Sequence, residues 1–392
     1  MRFAHGVTWR ISQRGLVVCS PGSSPLLVEH ERAANLPSLL GDAQDPAELA
    51  VLLGGTDADR ELVDDLMSEE IVLGAGASAR RLDERADGGK RVFISRSGIE
   101  FNGIDTVARA LYRIAWPILR SWTGRIALLV LIVAGAVALF LGPAPGPRVS
   151  DHPWIDATIG LVLGFVLVGA HELGHAVALV HYGRSPRSAG FGFYWGSLCF
   201  YVDCSDGITL PRRARIINAL AGLTVDLVTT AILFLMSHVF AGSVLVMGVC
   251  WRLAVNQLIG IAENGLPILE VDGHLALADY LDEPDLAPRS REALSRKLRG
   301  ISLGGEPRWL AAYGAFSLLG GIALIVATTW IWWLAAGDLV KSLLSGNPIE
   351  MMLGLYLVLP LALAVLFSGA GLLLETLARP SRRQTTSSHP NP

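Results

Sequence analysis

Six apolar stretches decide what this chain can become. They lie at about 125–142, 157–181, 216–238, 243–264, 309–336 and 351–377. A helix that crosses a bilayer needs about 20 apolar residues, because lipid leaves its backbone groups no partner outside the helix itself. The stretches therefore predict a polytopic α-helical membrane protein with about six transmembrane helices, its partner the lipid bilayer. Composition agrees. The chain of 392 residues is 52% hydrophobic and 17% charged, with a mean hydropathy of +0.46; soluble domains carry about a quarter charged residues. The charge deficit is local, since residues 1–105 read as a soluble domain.

Cationic residues set the expected orientation. Arg113, Arg120 and Arg125 precede the first span. Arg184, Arg187, Arg212, Arg213 and Arg215 lie between the second and third, and Arg289, Arg291, Arg296, Lys297, Arg299 and Arg308 between the fourth and fifth. Arg379, Arg382 and Arg383 follow the sixth, whereas the alternate loops hold only Arg148 and Lys341. This asymmetry predicts a multi-pass cell-membrane protein with both termini cytoplasmic. A net charge of −3 gives no nucleic-acid footprint. Cys19, Cys199, Cys204 and Cys250 fit neither a disulfide framework nor a C-x-x-C zinc site. The opening "MRFAHGVTWRISQRG" has no apolar core of a secretory signal, and none is expected there.

The N-terminal region has its own grammar. "TWRIS" and "LVVCS" read as strands about a turn at Gln13-Arg14-Gly15, with "LLVE" a third. "HERAANLPSLLG" is helical; Asp45-Pro46 caps and starts a second helix, and Thr56 or Asp57 caps a third. A strand-like "RVFISRSGIEF" closes the region. The order predicts a small α+β winged-helix-like cytoplasmic domain over 1–105. Residues 106–124 form an amphipathic juxtamembrane helix, lying in the interface or packed on the N-terminal domain. The membrane domain occupies 125–378, and 379–392 reads as a disordered tail.

The second span reads "GAHELGHAVALVHYG", placing His171, Glu172, His175 and His181 where lipid is expected. Ionisable groups inside a membrane are costly, so they point to function. Residues four apart share a helix face, so His171 and His175 can offer two nitrogens to one Zn2+. Glu172 is placed to take a proton from bound water. A catalytic zinc usually takes a third protein ligand. His181 has the offset of a third histidine, but that motif needs a helix-breaking glycine where this chain has Ala178, and His181 is expected in the interface instead. The better third ligand comes from "ENGLPILEVDGH". Asn264 and Pro267 are expected to break the fourth span and let Asp272 turn back towards the metal. Asp226 and Arg252 both fall near the bilayer middle, where pairing is the default.

These residues carry a resemblance. H-E-L-G-H in a membrane helix, followed by N-x-x-P-x-x-x-x-D-G, resembles the site-2 protease family of intramembrane zinc metalloproteases over about 157–280. "ALAGLTVDL" sits where that family has a Gly-Pro-x-x-Asn-like motif, with Thr224 and Asp226 departing from it. "YVDCSDGITLPRRARI" resembles the peptide zinc metalloprotease members of the family. The resemblance implies His171, His175 and Asp272 as zinc ligands, Glu172 as general base, and Asn264 as a residue that positions substrate or polarises its carbonyl. No loop has room for an inserted PDZ domain. The N-terminal domain instead resembles leader-recognition domains of pathways that make ribosomally synthesised, modified peptides. The expected function is endopeptidase cleavage of a small peptide precursor of bacteriocin-like or daptide-like type. The alternatives are intramembrane cleavage of a membrane-anchored regulator, or a non-catalytic exporter or immunity protein with structural zinc.

Overall fold

A computed structural model describes residues 1–4, 7–12, 15–19, 26–28, 32–68, 71–73, 92–94, 98–141, 148–194, 197–283, 285–303 and 305–359, with positions 362 and 366. The chain is mostly helical. Five helices are long and apolar enough to cross a membrane: α5 (Trp122–Leu141), α6 (Pro153–His181), α8 (Ala221–Val239, led in by α7, Arg212–Ala219), α9 (Val244–Gly265) and α12 (Arg308–Leu344). Of the expected sixth span, the described part is the shorter apolar helix α13 (Pro348–Leu359). The rest, like the 379–392 tail, lies outside the described residues apart from positions 362 and 366.

The N-terminal domain begins with β1 (Arg2–Phe3), followed by a three-stranded antiparallel sheet of β2 (Thr8–Ser12), β3 (Gly15–Cys19) and β4 (Leu26–Val28). Gln13 and Arg14 of the expected turn lie outside the described residues. Helices α1 (Leu36–Asp42), α2 (Pro46–Leu53) and α3 (Asp57–Ser68) pack on the sheet, and β5 (Val72–Leu73) returns to pair with β1. Leu16, Val18, Leu36, Leu49, Leu53, Val63 and Leu66 form the core. The caps are those the sequence predicts. Asp45 accepts from the Glu48 amide at 2.8 Å, and the Thr56 hydroxyl accepts from the Asp59 amide at 3.2 Å.

The strands in "RVFISRSGIEF" do not join that domain's sheet. β6 (Val92–Ile94) and β7 (Gly98–Phe101) pair with β8 (Ala189–Tyr194) and β9 (Ser197–Val202), which follow the second membrane helix. Alternation identifies a strand but carries no record of its partner. Between β7 and α5 runs α4 (Ile104–Arg120). It does not pack on the N-terminal core. Its buried Ile104 and Ala108 meet Ala176 of α6, Ala189 and Val202.

Asp226 and Arg252 do not pair. Arg252 Nη2 lies 2.8 Å from Asp156 Oδ2, and Nη1 donates to the Arg148 carbonyl at 2.7 Å. The reason is depth. Gln257, five residues beyond Arg252 on α9, is the side chain that donates to Asp226, at 3.2 Å. Five residues of helix put Arg252 about 8 Å from that level.

After α9 the chain turns through 266–271 into α10 (Asp272–Leu281) and α11 (Leu286–Leu298), which packs on the first turns of α12.

Candidate metal centre

On α6, the i, i+4 spacing puts the rings of His171 and His175 side by side, with Nε2 atoms 3.1 Å apart. Each ring is oriented through its other nitrogen. His175 Nδ1 lies 2.7 Å from the Asn218 carbonyl at the end of α7. A carbonyl can only accept, so Nδ1 carries a proton and the neutral ring turns the Nε2 lone pair inward. His171 Nδ1 lies 2.7 Å from Asp226 Oδ2 on α8. Asp226 is itself held, as Gln257 Nε2 of α9 donates to Oδ1 at 3.2 Å and to Thr229 Oγ1 at 3.1 Å.

Asp272, the first residue of α10, completes the group. Its Oδ2 is 3.1 Å from His171 Nε2 and 3.4 Å from His175 Nε2, and is buried with no hydrogen-bond partner. With both Nε2 atoms unprotonated, three lone pairs converge on one point. In neutral rings such an arrangement is repulsive, and a cation relieves it. A tetrahedral zinc with bonds of about 2.0–2.1 Å would hold its ligand atoms about 3.3 Å apart, which the three separations match. The residues therefore fit a divalent metal. An imidazole whose far N–H meets a carboxylate or carbonyl is the usual support of a metal ligand. Among the described residues this is the one His, Cys, Asp and Glu group able to hold an ion.

The approach needs small residues. A Cβ on Gly222 would lie 2.5 Å from His175 Nε2 and 2.6 Å from His171 Nε2, so glycine keeps α8 clear of the ligand atoms. A Cβ on Gly273 would lie 2.9 Å from the Asn264 carbonyl, so glycine lets α10 start hard against the end of α9.

Glu172 turns to the neighbouring sheet, its Oε2 accepting from the Val202 amide of β9 at 3.1 Å. Beside it, burial first and then the Glu172 charge push the Cys204 thiol up, so it stays protonated. Asn264 is half-buried in the last turn of α9. No hydrogen bond joins its side chain to His171, His175 or Asp272 among the described residues. His181 lies away from the group. Its Nδ1 is 3.1 Å from the Tyr112 hydroxyl, and its ring sits 4.7 Å from that of Trp116 on α4. Sequence reasoning missed the supporting roles of Asp226, Asn218 and Gln257. Only Asp226 had a signal, as an acid inside a span. In comparisons with family models, curated proteins and solved structures, nothing matches this chain.

Proposed function

We propose that the chain is a zinc-dependent intramembrane endopeptidase that cleaves a small peptide precursor. The observation that carries this reading is the convergence of His171 Nε2, His175 Nε2 and Asp272 Oδ2 beside Glu172, inside a helix long and apolar enough to span a bilayer. It is the chemistry of the site-2 protease family that the two motifs resemble. Zinc, when bound, polarises a carbonyl and lowers the pKa of water to about 7. His171, His175 and Asp272 would hold it. Asp226 and the Asn218 carbonyl keep both imidazoles in the tautomer that presents Nε2. Glu172 accepts the proton from the attacking water and passes it to the leaving amine. The Val202 amide aims its carboxylate. Asn264 orients the substrate carbonyl from the end of α9.

The cationic loops favour a cytoplasmic position for both termini, the side where a newly made precursor would arrive. The N-terminal domain binds the precursor's leader by adding it as a strand. β2 is engaged with the 205–209 segment through Thr8 and Arg10, which leaves β4 as the edge for that role.

The second reading is a non-catalytic membrane protein with structural zinc. The retained Glu172 speaks against it, because a structural site needs no base. Purified wild type and Glu172→Gln separate the two. Both should hold one zinc, and the variant should cleave a model precursor about 10²–10⁴ times more slowly. Equal cleavage rates in the two would sink the mechanism, and the absence of cleavage in both would favour the structural reading.

A further inference from the structure

The two short helices behind the metal centre are held together by ion pairs, and the N-terminal domain holds the same knot. α7 carries Asn218, whose carbonyl orients His175. α10 begins with Asp272. At their other ends, Arg215 of α7 donates Nε to Asp279 Oδ1 at 2.5 Å and Nη1 to the Leu210 carbonyl at 2.9 Å. Its Nη2 lies 3.4 Å from Asp282 Oδ1. That same oxygen accepts from Arg10 Nη1 of β2 at 3.1 Å, while Arg10 Nε donates to the Ile208 carbonyl at 2.8 Å. One carboxylate oxygen thus ties strand β2 to both helices. The knot is largely buried, with side-chain exposures of 11% for Arg10, 4% for Arg215 and 18% for Asp282.

The backbone at Asp282 gives an independent sign. It caps α10 at φ 55°, ψ 38°, the left-handed region, and is the only non-glycine at positive φ among the described residues. Glycine would take that conformation with less strain. The carboxylate, which glycine lacks, is what the position uses.

The geometry points to Arg10 as a positioning residue for the metal centre: docking of the N-terminal domain fixes the far end of α10 and thereby the Asp272 carboxylate. α10 is about 15 Å long. Gly273 packs its start closely on the end of α9, and the arginine knot holds its end. Freeing the end lets the helix pivot about Gly273, which is next to the ligand. This rests on the metal-site reading above.

The test uses the full chain in phosphatidylcholine nanodiscs, with Arg10→Ala, Arg10→Lys, Asp282→Asn and the Arg10→Ala/Asp282→Asn pair. Zinc affinity is read by chelator competition, and order in 272–282 by hydrogen exchange. Arg10→Ala and Asp282→Asn should each weaken zinc about 2- to 30-fold, the range for coupling through packed networks. Each should speed exchange in α10, and the double variant should be no worse than the sum of the singles. Arg10→Lys, which keeps the charge but loses the two-pronged contact, should fall between. Arg60→Ala, in an exposed pair with Asp57, should change neither reading. Should Arg10→Ala fail to fold, Arg10→Lys and Asp282→Asn carry the test. Faster exchange confined to β2 and β3, with α10 and zinc affinity unchanged, would overturn the proposal. If wild type itself holds no zinc, the metal reading falls, and exchange in α10 alone decides the coupling.

Discussion

Asp226 on α8 and His171 on α6 meet at 2.7 Å, carboxylate oxygen to imidazole Nδ1. A buried acid of an apolar helix is therefore engaged with a histidine of the candidate metal centre, and not with the arginine of the neighbouring helix. Replacing the carboxylate by an amide keeps the size but loses the charge that fixes the tautomer. Asp226→Asn should lower zinc affinity by about 10–100-fold, read by competition with a chelator. Unchanged affinity would show that the contact does not support the ligand.

Asp272 and His181 make an internal contrast. Asp272→Ala should lower zinc content sharply, because it removes one of three converging atoms. His181→Ala should leave it intact, because that ring rests against Tyr112 and Trp116. Metal analysis of the two purified variants checks the order, and the reverse order would refute the ligand set.

Asp156 is fully buried and held by Arg252 and Ser150. Removing one partner of such a pair typically costs about 3–5 kcal/mol, whereas replacing both with apolar residues is far milder. Arg252→Ala should therefore lower the unfolding midpoint more than Arg252→Met combined with Asp156→Leu. Thermal unfolding in detergent measures this. A double variant less stable than the single would contradict it.

Leader recognition has a defined address. A photo-crosslinker at Leu26 on β4, 40% exposed, should capture the leader half of a bound precursor. One at Val51 on α2, 67% exposed, should not. Equal capture at both positions, or capture at neither, would remove β4 from that role.

The histidine pair was legible because helical period alone puts His171 and His175 on one face, and no distant part of the chain can alter that. Asp272 was legible from the helix-breaking residues before it. Asp226 was assigned the wrong partner because hydropathy marks levels along a helix only coarsely, and the residue of α9 that does reach it, Gln257, carries no charge to signal the contact. Asp156 was overlooked because an acid in the first turn of an apolar helix reads as its boundary. Asp59 of α3 turns inward and is buried, its carboxylate accepting from the Thr56 amide at 2.8 Å, although an acid in a helix with so many others reads as solvated. The pairing of β7 with β8 spans two apolar helices, and no local pattern encodes such a contact.

That pairing has a consequence of parity. Strands that exchange backbone hydrogen bonds cannot lie on opposite sides of a bilayer. β7 precedes α5 and β8 follows α6, so in a bilayer these two helices would have to cross as a pair and return the chain to the face it left. The contact of Arg10 with Asp282 extends the rule to α8 and α9. A bilayer crossed by all four helices would find the chain back on one face before α12 begins. A single insertion that abolished one of the four would have to tear a sheet or pull apart the ion pairs beside the metal centre. The even count is built into the hydrogen bonds themselves.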